Sequence, residues 1–186
     1  MRKDKHLVNI AMFAAIIAAM GLIPRIDLPL AGGIPITAQS MGIMLAGVML
    51  GARNGFLSVL LFLFVLALGA PLLSGGRGGI GVFSSPTVGF LVGFPVAAFV
   101  TGIMMRPFPK AGIFPRALLS SIVGGITVLY LFGGTGMMMM TKLDLAATLK
   151  ILIVFIPGDI LKAILVAAIA KTVQKSLPDY FTKSKK

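Results

Sequence analysis

The chain has 186 residues, of which 58% are hydrophobic, and its formal net charge is +12. With a mean hydropathy of +1.04, it is too apolar for a soluble domain of this size, so the composition predicts a polytopic membrane protein. We expect a single integral membrane domain over residues 1–186 and no separate soluble domain. Cysteine is absent, which excludes thiol catalysis, disulfides and cysteine-based metal sites.

Six apolar segments predict six helices in an all-α bundle. They cover about residues 7–23, 36–50, 55–69, 88–105, 114–132 and 149–170. Several are shorter than the roughly 20 residues that a bilayer core requires, so we expect the connecting loops to fold back toward the membrane. The first segment follows a basic start, as a signal peptide does. We interpret it as a retained span, because the later segments are equally hydrophobic.

The basic residues alternate between the two sides of this bundle. If the N-terminus is cytoplasmic, twelve Lys or Arg lie inside, three lie in outer loops, and two lie in the last segment. The inner twelve are Arg2, Lys3, Lys5, Arg53, Arg106, Lys110, Arg116, Lys171, Lys175, Lys183, Lys185 and Lys186. This asymmetry predicts that both termini are cytoplasmic. The charge therefore indicates membrane topology and contact with anionic lipid, not binding to nucleic acid.

The first segment carries alanine at every fourth position, Ala11, Ala15 and Ala19. Such spacing makes a flat strip that another helix can approach closely. The strip is equally compatible with packing inside this bundle and with docking of a partner protein.

Polar residues open the second segment, where Thr37, Gln39 and Ser40 stand together. One interpretation is a helix cap with hydrogen bonds between helices. The other is contact with a ligand, and the residues alone favour neither.

The three outer loops are rich in glycine, proline and apolar residues. They cover residues 25–35, 70–86 and 133–149, the last with four consecutive methionines at 137–140. Non-helical backbone near a membrane is tolerated where protein buries it or water reaches it. We therefore predict a pocket that opens to the outside, with these loops as walls and lid. Phe83, Phe90 and Phe94 are expected to contribute apolar wall.

The last segment contains two charges near its middle, Asp159 and Lys162, shortly after Pro157. A charge at the centre of a membrane helix costs roughly 3 kcal/mol, and such groups usually face a partner or a wet cavity. Three positions apart on a helix, the two side chains share one face. They form either a structural ion pair or part of a functional site, and we favour the functional site.

Several kinds of chemistry are poorly supported. Residues 76–81 match G-x-G-x-x-G. A dinucleotide site also requires a preceding strand and an acidic residue about twenty positions further on, and the sequence has neither. A P-loop is also missing. The only histidine, His6, precedes the first segment among basic residues, so catalysis or metal binding at membrane depth lacks its usual groups. We predict a protein that is not an enzyme and has no metal or cofactor.

Three stretches together resemble the BioY family, the biotin-specific substrate-binding subunits, or S components, of energy-coupling-factor (ECF) transporters. They are GGIPITAQSMGIMLAGVMLGARNGFLSVLL (residues 32–61), APLLSGGRGGIGVFSSPTVGFLVGFPVAAF (70–99) and PGDILKA (157–163). The resemblance implies a six-helix S-component fold in the inner (plasma) membrane that captures biotin from outside. It also implies assembly with a transmembrane coupling subunit and two ATP-hydrolysing subunits, which deliver the ligand inward.

The resemblance also implies roles for individual residues. Ala11, Ala15 and Ala19 would contact the coupling subunit. The biotin-binding residues would include Asp159, Lys162, Phe90 and the glycine-rich loop around Arg77, with Gly78 and Gly79. We add Thr37 and Gln39, from the polar group of the second segment, to the predicted ligand-binding residues. The chain departs from the family at Phe90, where relatives often carry Tyr, and at Arg77, where some carry an uncharged polar residue. The alternative function is a self-sufficient proton- or ion-coupled transporter in which Asp159 carries the proton.

Overall fold

The structure, a computed structural model, describes residues 2–25, 36–106, 112–178, 180 and 181. Within these ranges the chain is almost entirely helical. The elements are α1 (Arg2–Met20), α2 (Gln39–Ala67), a 3₁₀ helix (Ile80–Ser84), α3 (Val88–Met104), α4 (Ile113–Thr141) and α5 (Leu145–Ser176). Of the described helices, α2, α4 and α5 are long and apolar enough to cross a membrane, and α1 and α3 are shorter. The predicted all-α class is confirmed.

Helix α2 reverses direction at Gly51. This glycine has φ 75° and ψ −179°, a conformation that side-chain-bearing residues rarely adopt. Beyond it the chain folds back on itself. The close approach of the two halves is seen at Gly55, where a Cβ atom would lie 2.9 Å from the carbonyl oxygen of Ala46. The second and third predicted segments are therefore two antiparallel halves of one kinked helix, and the break falls between them as expected.

The prediction of a loop over residues 133–149 is wrong. Helix α4 continues to Thr141, and only residues 142–144 separate it from α5. Asp144 caps the new helix, since its side chain accepts a hydrogen bond from the Ala147 N–H at 2.8 Å. Met137 is buried against Ile151, Leu152 and Phe155 of α5. Methionine favours helices, and this packing outweighs the helix-weakening glycines before it.

Helix α4 is not uniform, because residues Ser121–Val128 form a π-helix. Its two α-helical parts, Ile113–Ser120 and Leu129–Thr141, flank this segment. π-Helical segments are rare and occur often at functional sites. Here the segment directly precedes Leu129 and Tyr130.

Glycines allow α3 and α4 to pack almost backbone to backbone. A Cβ atom at Gly89 would lie 2.8 Å from the Cα of Gly136, and one at Gly93 would lie 2.7 Å from the Cβ of Phe132. Close approach through small residues is typical of helices in membranes. The contact aligns α3 with the second half of α4.

The bundle has two distinct ends. At one end His6 Nδ1 lies 3.1 Å from Asn54 Nδ2, next to the Gly51 bend. At the other end, the amide of Gln39 at the start of α2 meets the loop after α2 at Leu72. The ends of α2 and α3 and the middle of α5 surround a crevice near this second end.

Candidate ligand-binding site

A crevice that is partly open to solvent lies between α2, α3, α4, α5 and the loop after α2. The exposed area of its lining is mainly apolar, although eight of the fifteen lining side chains are polar or charged. The lining residues are Ile36, Thr37, Gln39, Ser40, Leu73, Arg77, Thr87, Phe90, Leu91, Phe94, Leu129, Tyr130, Phe155, Asp159 and Lys162. A crevice that combines apolar walls with convergent polar groups is typical of a small-molecule site.

The carboxylate of Asp159 is the polar centre of the crevice. It is only 6% exposed. Its Oδ1 accepts hydrogen bonds from Lys162 Nζ at 2.7 Å and from the Ser40 hydroxyl at 3.3 Å. Its Oδ2 accepts one from the Tyr130 hydroxyl at 2.7 Å. A buried charge is tolerated when it is paired and hydrogen-bonded in this way.

Lys162 belongs to the same network. Its ammonium group donates to Asp159 and also to the Ser40 oxygen, at 3.0 Å. The Asp159–Lys162 pair is neutral overall, so a neutral polar ligand group can approach it without a net charge penalty. Both residues lie on α5, and both were predicted from their charge within an apolar segment.

Tyr130 was missed by the sequence analysis. It lies on α4, 29 positions before Asp159, and no motif connects the two. The available signal was the tyrosine itself, because a Tyr hydroxyl in an apolar segment usually needs a hydrogen-bond partner.

Gln39 joins three parts of the chain. Its Nε2 donates to the carbonyl oxygens of Leu72 (3.0 Å) and Ile17 (3.5 Å), and its Oε1 accepts from the Ser74 N–H (3.4 Å). Of the two interpretations, the helix cap is wrong, since Ala38 is the N-cap and makes no side-chain cap bond. Hydrogen bonding across the bundle is present, and Gln39 also borders the crevice.

Ser40 and Thr37 differ in their surroundings. Ser40 bonds to Asp159 and Lys162, as described above. Thr37 is half-buried and lines the crevice, as Ile36 does. Hydrogen bonding between helices is therefore present at Gln39 and Ser40, and contact of this polar group with a ligand stays a prediction.

The loop after α2 brings Arg77 to the crevice. Gly75 and Gly76 both have positive φ values, 83° and 70°, and the Leu73 N–H donates to the Arg77 carbonyl at 3.0 Å. This tight turn directs the half-buried Arg77 inward. Its buried Nε has no hydrogen-bond partner among the described residues.

Gly78 and Gly79 do not line the crevice. A side chain at Gly78 would collide with the carbonyl of Ala70. Gly79, at φ +77°, donates its N–H to the Leu66 carbonyl at 2.8 Å. These glycines hold the loop against the end of α2, and their contribution to the site is the position of Arg77.

Aromatic rings form much of the remaining wall. Phe90 and Phe94 of α3 and Phe155 of α5 line the crevice, whereas Phe83 packs against the main hydrophobic core. The described residues include no group of three His, Cys, Asp or Glu side chains that would hold a metal ion.

Two further predicted features are the alanine strip and the first outer loop. Ala11, Ala15 and Ala19 are all exposed on α1, so the alanine strip does not pack inside this bundle. Residues 26–35, most of the first predicted outer loop, lie outside the described part of the chain.

Comparison with known proteins gives a consistent result. The family model of the BioY family matches residues 2–179. The biotin transporter BioY of Rhizobium etli is 44% identical over 94% of this chain and 95% of its own length. That of Rhodobacter capsulatus is 39% identical over 94% of this chain and 96% of its own.

A solved structure agrees with the sequence relatives. The crystal structure at 2.1 Å of the S-component for biotin from an ECF-type ABC transporter superposes with a TM-score of 0.85. It is 31% identical and covers 94% of this chain and 93% of its own. With the family model matching nearly the whole chain, this protein belongs to the BioY family.

Proposed function

We propose that this chain is the biotin-binding S component of an ECF-type importer and binds its ligand without converting it. The observation that supports this most strongly is the Asp159–Lys162–Ser40–Tyr130 hydrogen-bond network, which lies in a crevice with aromatic walls. The relatives are named as biotin transporters, which indicates biotin as the ligand. The network explains how the protein would recognise it.

The hydrogen-bonding capacity of the network matches a cyclic urea. A carboxylate oxygen has about two acceptor positions, so Oδ1 of Asp159 is filled by Lys162 and Ser40, and Oδ2 keeps one position open. Lys162 uses two of its three donors within the described part of the chain. One acceptor beside one donor fits the N–H and C=O of the ureido ring of biotin.

The rest of the crevice fits the rest of biotin. The rings of Phe90, Phe94 and Phe155 suit its thioether ring and aliphatic chain. Arg77 lines the crevice, and its Nε has no hydrogen-bond partner in the described part of the chain. This side chain suits the carboxylate of biotin, because arginine pairs strongly with carboxylates. We therefore propose that Arg77 binds the carboxylate and that Lys162 binds the urea.

We infer that the chain crosses the membrane six times, with both ends cytoplasmic and the crevice facing outward. The reversal at Gly51 supports counting the two halves of α2 as separate spans. The excess of basic residues at the inner positions supports the orientation. Arg53, beside the bend, then lies at the inner end, opposite the crevice.

The exposed alanine strip supports docking of a coupling subunit on α1. Ala11, Ala15 and Ala19 follow at intervals of four residues on one helical face, which lets another helix approach closely. ATP hydrolysis would be supplied by two partner subunits. The alternative, a transporter driven by protons through Asp159, has less support, since the related S-component comes from an ABC transporter.

The test is titration of the purified protein with biotin by isothermal calorimetry. Asp159→Asn should weaken binding at least about 30-fold, because Lys162 loses its charged partner and the ligand loses its acceptor. The control is Asp144→Asn, which changes an exposed carboxylate that caps α5 and should leave the affinity unchanged. Failure of the unmodified protein to bind biotin would refute the proposed function.

A further inference from the structure

The second carboxylate oxygen of Asp159 has one partner among the described residues, the hydroxyl of Tyr130 at 2.7 Å. Nothing else in the network contacts this oxygen, since Lys162 and Ser40 both donate to Oδ1. Oδ2 of Asp159 therefore has one acceptor position filled by Tyr130 and one that is open.

The position of Tyr130 is well determined by its surroundings. It follows the π-helical segment Ser121–Val128, and one turn later the ring of Phe90 lies against the backbone of Gly133. Tyr130 and its neighbour Leu129 both line the crevice. The tyrosine therefore reaches Asp159 from a helix that is locked to α3 by close packing.

We propose that Tyr130 is a positioning residue that sets ligand specificity by leaving Asp159 with a single open acceptor position. This rests on the proposed function and adds the reason why a urea is selected. A urea edge presents one N–H beside its carbonyl and fills that single position. A cyclic guanidinium presents two adjacent N–H groups, and the second has no acceptor while the tyrosine hydroxyl is bound.

The inference predicts different consequences for the two kinds of ligand when the hydroxyl is removed. In Tyr130→Phe, Oδ2 gains a second open position that biotin leaves unfilled, and a buried unsatisfied acceptor weakens binding. The guanidinium analogue fills both positions and so loses little. A purely structural role for Tyr130 would weaken both ligands equally.

The experiment measures the affinities of biotin and of 2-iminobiotin, its cyclic guanidinium analogue, by competition with radiolabelled biotin. We expect Tyr130→Phe to bind biotin about tenfold more weakly, while the affinity for 2-iminobiotin changes less than about threefold. Equal loss for both ligands, or no loss for biotin, would overturn the proposal. If the unmodified protein fails to bind biotin, the proposed function fails instead.

The chain provides a matched control, because it has two tyrosines. Tyr180 lies beyond the end of α5, packed edge-on against Phe181. Ser176, where α5 ends, is about 25 Å along the helix from Asp159 at 1.5 Å per residue. Tyr180→Phe should therefore change neither affinity, and a change in the ratio would contradict the assignment of specificity to Tyr130.

A second measurement needs no ligand and serves if binding is lost altogether. If Tyr130 acts through Asp159, the two substitutions are not additive. The double variant Tyr130→Phe with Asp159→Ala should melt no lower than Asp159→Ala alone, because alanine offers the tyrosine hydroxyl no acceptor. A further decrease equal to that of Tyr130→Phe alone would show that the tyrosine acts independently and would overturn the proposal.

Discussion

The ring of Phe90 lies directly against the Cα of Gly133, so that a Cβ atom at this glycine would overlap the ring. The two residues belong to α3 and α4, and Phe90 forms part of the crevice wall. The shape of the crevice is thus determined partly by a residue that has no side chain and does not line the crevice.

We predict that Gly133→Ala weakens biotin binding about tenfold or more. The added methyl group must push Phe90 into the crevice or separate the two helices, and overpacking of this kind typically costs 1–3 kcal/mol. Competition binding in detergent measures the effect. The neighbouring Gly134→Ala is the control, because its Cβ would lie no closer than 3.2 Å to Leu152. Equal affinities for the two variants would contradict the role assigned to Phe90.

The parts of this site that could be predicted from sequence are those whose chemistry is conspicuous in an apolar chain. Asp159 and Lys162 were found because charges within a membrane segment are costly and therefore informative. Tyr130 was missed because a tyrosine is compatible with an apolar helix. Its function depends on a contact 29 positions away, between helices whose relative placement no local pattern specifies.

The same distinction applies to the fold. The break between the two halves of α2 was predictable, because residues 51–55 combine glycines with polar residues. The true end of α4 was not, because residues 133–136 contain three glycines and resemble a loop. Their helical conformation depends on packing, with Gly136 against Gly89 and Met137 against α5.

Arg77→Gln should separate the two ends of the ligand. If the guanidinium binds the carboxylate of biotin, its loss should weaken biotin binding about 10- to 100-fold, in the range of charge-assisted hydrogen bonds. Biotinamide, which lacks the carboxylate charge, should lose less than about threefold. Calorimetric titration of the variant with both ligands measures this difference.

The matched control for Arg77 is Arg53→Gln. This exposed arginine lies beside the Gly51 bend, at the end of the bundle away from the crevice. It should bind both ligands as the unmodified protein does. If Arg77→Gln weakens biotin and biotinamide to the same extent, the arginine does not recognise the carboxylate, and its part in the site is to shape the loop.

Ala15→Leu should separate binding from assembly. Ala15 is exposed at the centre of the alanine strip of α1, so a larger side chain would keep a partner helix at a distance. We expect unchanged biotin affinity but little recovery of the coupling subunit and the two ATPase subunits on co-purification. Ala168→Leu, at an exposed alanine of α5, is the control. Full recovery of the complex with Ala15→Leu would rule out this docking surface.

The main effect of Gln39→Leu should be a loss of protein stability, and weaker stabilisation by biotin should follow from it. The side chain is 2% exposed, and its removal leaves the Leu72 carbonyl and the Ser74 N–H without their partner. Two such buried groups correspond to about 2–4 kcal/mol, which we expect to appear as a clear decrease in melting temperature in detergent. Because the loop that carries Arg77 is no longer tied to α1 and α2, biotin should also stabilise the variant less than it stabilises the unmodified protein.

The control is the other glutamine of the chain, Gln174, which is exposed near the end of α5. Gln174→Leu should melt within about one degree of the unmodified protein, since exposed substitutions usually change stability by less than about 0.5 kcal/mol. A melting temperature for Gln39→Leu equal to that of Gln174→Leu would show that these three hydrogen bonds do not hold the loop in place.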